Sequence, residues 1–244
     1  MKKTVLITGA SRGIGAATAY CFAKEGYNVV VNYNKSREKA EKLVSELTNQ
    51  GFSAACIQAD VSDGLQVNAM VDKINCSFGG VDVLVNNAAV AQIKLFSDIT
   101  SDDWDNIFNV NVKGMFNCTK AVLPYMIHQK HGKIVNISSI WGITGASCEV
   151  HYSASKAAVI GLTKALAKEL GPSGIQVNCV APGVVNTDMN AELSKEDIEQ
   201  IADETPLGVI GNASDIANTV CFLASDKADF ITGQVISPNG GLVI

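Results

Sequence analysis

The sequence has little that would define a secreted, membrane or nucleic-acid-binding protein. Its seven cysteines are odd in number and never spaced as Cys-x-x-Cys, which argues against a disulfide framework or a zinc site. The net charge of −5 gives no basic excess that would favour nucleic acid as a partner. The apolar run at residues 4–8 is too short for a signal segment or a membrane span, so we expect a cytoplasmic protein.

The sequence also lacks any Pro- or Ser-rich linker or block of like charge that would divide its 244 residues. We therefore expect a single domain spanning residues 1–244, long enough to bury a large core. His128 and His131 are spaced i, i+3, but no carboxylate or cysteine accompanies them in the sequence. The pair is typical of an ordinary helix end, and we expect no metal site.

A glycine-rich turn follows the β-branched run at residues 4–8 and precedes a helical pattern at residues 16–25. Its glycines, Gly9, Gly13 and Gly15, are spaced G-x-x-x-G-x-G. Such glycines permit a tight turn and let the backbone approach a pyrophosphate, while the helix N-terminus offers amides to the phosphates. The pattern predicts a dinucleotide site, although the same turn could serve only as a tight connection.

The second predicted strand, residues 29–32, is not followed by the carboxylate that would bind the adenosine ribose of NAD. Basic and hydroxyl groups stand near this point instead, at Arg12, Lys35, Ser36 and Arg37. Such groups suit the additional 2′-phosphate of NADP, so we expect NADP(H) as the cofactor. The alternative is that Lys35 and Arg37 only decorate the start of the next helix.

Apolar strands alternate with helical patterns along the rest of the chain. The predicted strands lie at residues 54–59, 81–85, 134–137 and 175–180, and the predicted helices at residues 37–48, 65–78, 104–126, 152–170 and 214–224. With right-handed crossovers, this alternation predicts a doubly wound parallel sheet with helices on both faces and a ligand at the carboxyl ends of its strands. The polar, acidic segment at residues 189–204 is predicted to be a mobile helical flap over that crevice.

Three side chains between residues 138 and 156 are placed to act on one small substrate. Tyr152 and Lys156 lie four residues apart in a predicted helix and share one face, so the ammonium is expected to lower the pKa of the phenol and make it a usable general acid. Ser139 follows the strand at residues 134–137, whose carboxyl end would present its hydroxyl to the crevice. The alternative for Tyr152 and Lys156 is a solvated helix face without chemistry.

Taken together, these residues resemble a known family across essentially the whole chain. The segments that carry the resemblance are Thr8-Gly9-x-x-x-Gly13-Ile14-Gly15, Asn86-Asn87-Ala88, Asn111, Ser139, Tyr152-x-x-x-Lys156 and Pro182-Gly183. In this order they are similar to the motifs of the short-chain dehydrogenases/reductases. The resemblance implies a single-domain, Rossmann-type α/β fold and an NADP-dependent oxidoreductase.

The resemblance also implies roles for individual side chains. Tyr152 would donate the proton, and Lys156 would lower its pKa and bind the nicotinamide ribose. Ser139 would orient the carbonyl, and Asn111 would hold a water in the proton relay, although from the residues alone Asn111 could mark a kink or a buried hydrogen bond. The cofactor-binding positions expected are Gly9, Ser11, Arg12, Gly13, Ile14, Gly15, Asn32, Ser36, Asp60, Val61, Asn87, Ala88, Tyr152, Lys156, Pro182, Gly183, Val185 and Thr187.

Within the family, the segments NISS, VNCVAPG and ITGQ are most similar to the 3-oxoacyl-acyl carrier protein reductases of fatty-acid synthesis. The resemblance implies a homotetramer that uses NADPH to reduce a 3-oxoacyl chain held on acyl carrier protein. Two departures bear on the substrate. Of two basic positions on the carrier-docking face, this chain keeps Lys130 but has Ser173 at the other, and Glu149 stands where those reductases commonly have glutamine.

Glu149 supports a different protein-bound ketone as the alternative substrate. The run at residues 138–150 is also similar to a bacterial subgroup that reduces a 5-aminopentanone group on a lysine of elongation factor P, and Glu149 would pair with the ammonium of that group. A solvent-facing acid is an equal alternative for Glu149. A non-catalytic NADP(H) sensor is disfavoured by the full catalytic set, and an NAD-dependent sugar or steroid dehydrogenase by the lack of an acid at residues 32–34.

Overall fold

The computed structural model describes residues 2–187 and 194–244, in which seven parallel strands form one sheet. The strands along the chain are β1 (Thr4–Ile7), β2 (Asn28–Tyr33), β3 (Ala54–Gln58), β4 (Val83–Asn86), β5 (Gly132–Ile137), β6 (Ile175–Val180), β7 (Val185–Asn186), β8 (Gly211–Asn212) and β9 (Val235–Ile236). The spatial order is β3-β2-β1-β4-β5-β6-β9, and β7 and β8 pair separately. The predicted doubly wound parallel sheet is confirmed.

Helices connect the strands, as the alternating pattern predicted. They are α1 (Gly13–Lys24), α2 (Arg37–Asn49), α3 (Gly64–Phe78), α4 (Ser101–Phe108), α5 (Gly114–Gln129), α6 (Trp141–Thr144), α7 (Val150–Leu170), α8 (Lys195–Glu204) and α9 (Ala213–Ala224). Within the described residues, no helix combines the length and the apolar character needed to cross a membrane. Of the predicted flap, residues 189–193 lie outside the described residues, Ser194 caps α8, and α8 forms residues 195–204.

Alternate residues of the central strands pack into two cores on opposite faces of the sheet. Val5 and Ile7 of β1 belong to one core, which contains Phe22 of α1 and Ile216 of α9. Leu6, between them, belongs to the other core, with side chains of α3, α5 and α7. Because both faces are covered, these strands are continuous apolar runs rather than alternating ones.

The order of the strands creates a crevice where the direction of winding reverses. From β1 the chain proceeds outward through β2 and β3, then returns to place β4 on the other side of β1 and continues to β5, β6 and β9. In doubly wound sheets the crevice outside the carboxyl ends at this point binds the ligand. The segments that follow β1, β4, β5 and β6 are therefore the ones that can form a site.

Candidate active site

The turn after β1 packs so closely against neighbouring backbone that two of its glycine positions have no room for a side chain. Gly9 and Gly13 have φ values of 60° and 56°, in the left-handed region. A Cβ atom at Gly9 would lie 2.8 Å from the Cα of Ala88, and one at Gly15 would lie 2.7 Å from the Cα of Ala10. The helix α1 begins within this turn, at Gly13. The result is a backbone cradle at a helix N-terminus, the shape that a pyrophosphate requires.

Two asparagines hold this cradle against the strands beside it. Asn32 is almost fully buried, and its Oδ1 accepts the N–H of Gly9 at 3.2 Å while its Nδ2 donates to the carbonyl of Ala59 at 3.0 Å. The Nδ2 of Asn87 donates to the carbonyls of Thr8 at 2.9 Å and Gly9 at 3.1 Å. Asn32 and Asn87, both predicted cofactor positions, thus also hold the turn in shape. No local sequence pattern predicted this role.

The predicted adenosine end of the site lies at the ends of β2 and β3. Ser36 precedes α2, and its hydroxyl makes no capping hydrogen bond to that helix. Arg37 pairs with Glu41 at 2.7 Å, as expected of a residue that decorates the helix. Asp60 accepts a hydrogen bond from the Nδ2 of Asn34 at 2.9 Å, which joins the two strand ends. The remaining predicted positions on this side are Ser11, Arg12 and Ile14 in the turn, Val61 after β3 and Ala88 after β4.

After β6 the chain turns back toward the glycine-rich cradle. Gly183 packs so closely that a Cβ atom there would lie 2.8 Å from the Cα of Asn239. Val185 is buried in β7, and the methyl group of Thr187 lies 3.5 Å from a Cβ atom built at Gly13. The loop that carries these predicted nicotinamide contacts therefore closes one end of the crevice.

A cavity of about 160 Å³ lies between the cradle and this loop. Its wall contains the predicted catalytic residues Ser139, Tyr152 and Lys156, the predicted cofactor positions Ile14, Asn87, Pro182, Gly183, Val185 and Thr187, and also Trp141 and Glu149. A larger cavity of about 430 Å³ lies beside the amino end of β6 and contains none of the predicted site residues. The smaller cavity is the candidate active site, because Ser139, Tyr152, Lys156 and Glu149 can donate or accept protons and all line it.

The three predicted catalytic groups meet in this cavity. Tyr152 and Lys156 occupy successive turns of α7, and the Nζ of Lys156 lies 5.5 Å from the ring centroid of Tyr152. The hydroxyl of Ser139 faces the same cavity as the phenol of Tyr152, and it accepts the N–H of Trp141 at 3.2 Å. The Nζ of Lys156 donates to the carbonyl of Ile137 at 2.9 Å. All three side chains are buried, so the pair on α7 is not the solvated face considered as the alternative.

The protonation of these groups corrects one expectation from the sequence. Burial raises the pKa of Tyr152 to about 12, Glu149 adds to the rise, and the nearby hydroxyl of Ser139 opposes it. Burial lowers the pKa of Lys156 to about 8. The pKa of Tyr152 is therefore raised and not lowered as the sequence predicted, because burial is its largest cause, and the influence of Lys156 on the phenol stays a prediction. Tyr152 keeps its proton at neutral pH.

Asn111 lies where the predicted helix 104–126 departs from α-helical geometry. The turn Asn109–Lys113 between α4 and α5 is a π-helix, a feature frequent at functional sites. The Oδ1 of Asn111 accepts the N–H of Val90 at 2.9 Å, and its Nδ2 donates to the carbonyl of Val90 at 2.9 Å and to Ser155 at 3.0 Å. The buried hydrogen bond left open by the sequence is thus present, and the role in a proton relay stays a prediction.

The structural roles of several polar residues at the strand ends were not predicted from the sequence. The Nδ2 of Asn86 donates to the Oδ1 of Asn136 at 2.9 Å, and the Nδ2 of Asn136 donates to Thr163 on α7 at 2.9 Å. Ser138 donates to the carbonyl of Lys156 at 2.8 Å. These bonds fix α7 against β5, and hence Lys156 against Ser139. The one sequence signal for these bonds is an asparagine in an otherwise apolar strand, which indicates a buried polar group that needs a partner.

Comparison with known proteins extends over the whole chain. The sequence profile of the family described as short chain dehydrogenase matches residues 3–198. The 3-oxoacyl-[acyl-carrier-protein] reductase FabG of Staphylococcus aureus is 48% identical over 242 residues, which cover 99% of this chain and 98% of that protein. FabG of Thermotoga maritima is 44% identical with the same coverage. The structure of a gluconate 5-dehydrogenase from Burkholderia cenocepacia, in complex with NADP and tartrate, matches with a TM-score of 0.94 at 35% identity, over 99% of this chain and 96% of that one.

Proposed function

This chain belongs to the short-chain dehydrogenase family, and we propose that it is an NADPH-dependent reductase of a 3-oxoacyl group held on acyl carrier protein. The observation that carries the proposal is the convergence of Ser139, Tyr152 and Lys156 on one cavity beside the glycine cradle. The identity of 48% with FabG of Staphylococcus aureus supports the substrate class. The NADP in the matching gluconate 5-dehydrogenase structure supports the cofactor.

The residues of the crevice fit a dinucleotide phosphate. Gly9 and Gly15 pack directly against Ala88 and Ala10, which keeps the turn tight, and the amides at the start of α1 would bind the phosphates. Arg12 and Ser36 would bind the 2′-phosphate, and Lys156 the nicotinamide ribose. When bound, NADPH supplies the hydride. The work of this chain is therefore to hold the ketone, exclude water and deliver a proton.

Tyr152 is the proposed proton donor to the ketone oxygen. Its pKa of about 12 keeps the phenol protonated at neutral pH, so the group is ready to donate. The hydroxyl of Ser139, which lines the same cavity as this phenol, would hold the ketone oxygen at the same point. Once the proton has left, the ammonium of Lys156 would stabilise the phenolate across the 5.5 Å that separates it from the ring.

A second candidate substrate is favoured by Glu149, namely the 5-aminopentanone group on elongation factor P. The carboxyl group of Glu149 is half-buried in the cavity wall, and burial raises its pKa. Throughout residues 2–187 and 194–244, Glu149 has no ion-pair partner. The ammonium of an amino ketone would supply that partner in a partly desolvated place, whereas a 3-oxoacyl thioester carries no cation.

The two substrates can be separated by one pair of assays. NADPH oxidation is followed with acetoacetyl-acyl carrier protein and with elongation factor P that carries the 5-aminopentanone, using the wild type and Glu149→Gln. The first candidate predicts turnover of the thioester that Glu149→Gln leaves nearly unchanged. The second predicts turnover of the amino ketone that falls about tenfold or more in the variant, since a lost ion pair worth ~1.4 kcal/mol corresponds to a factor of ten.

Glu169→Gln is the matched control, because Glu169 lies on the same helix α7 but is exposed and far along it from the cavity. It should leave both rates unchanged. Absence of turnover with either ketone, in a protein that still binds NADPH, would overturn the proposed function.

A further inference from the structure

The segment at residues 90–94 forms one wall of the cavity, with alternate side chains on opposite sides. Ala91 and Ile93 line the cavity. Gln92 and Lys94 are half-buried and bond to other parts of the protein. This alternation is that of an extended chain, in which neighbouring side chains point in opposite directions. The position of the wall therefore depends on what holds Gln92 and Lys94.

Gln92 is the central member of a hydrogen-bonded chain behind the wall. Its Nε2 donates to the Oδ1 of Asp103 at 3.0 Å, so its Oε1 is left to face the Nε2 of His151, also at 3.0 Å. The imidazole must then donate from Nε2. Lys94 donates to the other oxygen of Asp103 at 2.6 Å, and Asp103 also forms the capping box of α4 with Thr100. The wall is thus anchored to α4 on one side and to α7 on the other.

His151 ties this chain to the catalytic helix. It is fully buried and directly precedes Tyr152. Within the part of the chain that the structure describes, its Nδ1 has no hydrogen-bond partner, so the contact with Gln92 is the polar bond of the ring. A buried nitrogen without a partner is unfavourable. An apolar side chain would fill this position without that penalty. What the imidazole contributes in its place is the hydrogen bond to Gln92.

A second bond crosses from the same wall to the opposite loop. The N–H of Lys94 donates to the carbonyl of Cys148 at 2.7 Å. Cys148 has a φ of 60°, in the left-handed region that is unfavourable for a residue other than glycine, and it directly precedes Glu149. The wall and the loop that carries Glu149 therefore hold each other in place.

We infer that Gln92 is a positioning residue for the ketone substrate, acting through His151 and Asp103 on the wall formed by Ala91 and Ile93. The inference rests on the proposed function, in that the cavity must bind the ketone. Gln92 does not line the cavity, so it acts on how the substrate is held and leaves the proton of Tyr152 and the cofactor cradle untouched.

The kinetic test compares Gln92→Leu with two substitutions of its partner. Gln92→Leu removes both bonds, and we expect the KM for the ketone to rise about tenfold, with kcat within about twofold of the wild type and the Kd for NADPH unchanged. His151→Leu should reproduce this result. His151→Gln retains an N–H donor of similar reach, so its KM should stay near the wild-type value. Gln50→Leu, at the exposed C-terminus of α2, makes the same chemical change away from the cavity and should have no effect.

Hydrogen exchange of the protein without substrate gives a readout that does not depend on the reaction. In Gln92→Leu the amides of residues 90–95 should exchange about tenfold faster than in the wild type, because the wall opens more readily. Faster exchange combined with no turnover of any ketone by the wild type would sustain the inference about the wall and count against the proposed function. Unchanged exchange and KM, or a parallel loss of kcat, NADPH affinity and Tm, would overturn the inference.

Discussion

The ammonium of Lys156 lies 5.5 Å from the ring centroid of Tyr152, yet its hydrogen bond goes to the carbonyl of Ile137. Both side chains are buried, and burial shifts each pKa toward the neutral form, to about 8 for Lys156 and about 12 for Tyr152. A buried ammonium that forms no ion pair with a carboxylate among the described residues opposes folding. The role of Lys156 can therefore be tested through stability as well as through activity.

Lys156→Met should make the protein more stable at neutral pH while abolishing turnover. The lowered pKa of Lys156 corresponds to an unfavourable free energy on the order of 3 kcal/mol when the group is charged. Its folded pKa lies below the unfolded value of 10.5, so the folded protein binds fewer protons between about pH 8 and 10.5, and wild-type stability rises through that window. Urea unfolding should show the largest gain for the variant below pH 8, and a shrinking gain above it.

Lys133→Met is the matched control for this experiment. Lys133 is equally buried, but its ammonium pairs with Asp229 at 2.6 Å. Removal of the cation should give no gain in stability at neutral pH, because the ion pair already compensates the charge. An equal gain in both variants would mean that side-chain packing, and not the unpaired charge, sets the effect.

Gly15→Ala should weaken NADPH binding by at least about tenfold, since the added methyl group would lie 2.7 Å from the Cα of Ala10 and force the cradle open. Gly161→Ala, in the middle of α7, meets no atom within 4 Å. It should leave NADPH affinity unchanged and raise the free energy of unfolding by about 0.5–1 kcal/mol through helix propensity. Fluorescence titration with NADPH and urea unfolding measure the two effects. Equal NADPH affinity in both variants would show that the glycine cradle is not part of the NADPH site.

Glu149→Gln should move the alkaline limb of the activity profile to lower pH. The reduction needs a protonated phenol, so activity is lost as the pH rises through the pKa of Tyr152. The negative charge of Glu149 helps to raise that pKa, and its removal lowers it. The profile of kcat against pH, measured with the ketone that the wild type turns over, gives the shift. A shift toward higher pH would contradict the electrostatic account.

Arg12→Ala should raise the Kd for NADPH about tenfold while it changes the Kd for NADH little, because the guanidinium is proposed to bind the 2′-phosphate. Arg37→Ala is expected to leave both constants alone, since Arg37 is paired with Glu41 at 2.7 Å. Isothermal titration of each variant with NADPH and with NADH measures these dissociation constants. Equal losses for NADPH and NADH in Arg12→Ala would place the guanidinium elsewhere.

The fold and the proposed catalytic residues could be predicted from the sequence because each leaves a local signal. Apolar runs of strand length alternate with helical periodicity, and Tyr152 and Lys156 have the i, i+4 spacing that puts them on one side of α7. The pKa of Tyr152 was predicted in the wrong direction because spacing reveals the neighbouring charge but not the depth of burial. Asn32, Gln92 and His151 join segments distant in the chain, and such contacts have no local pattern.

The most direct test of the account is NADPH oxidation by the wild type and by Tyr152→Phe, with acetoacetyl-acyl carrier protein and with the 5-aminopentanone form of elongation factor P. We predict turnover of one of the two ketones by the wild type, a loss of about 10²-fold or more in Tyr152→Phe, and retention of NADPH binding in the variant, with a far smaller change in its Kd. Turnover that survives in Tyr152→Phe, or NADPH binding without turnover of either ketone, would contradict Tyr152 as the proton donor of a ketone reductase.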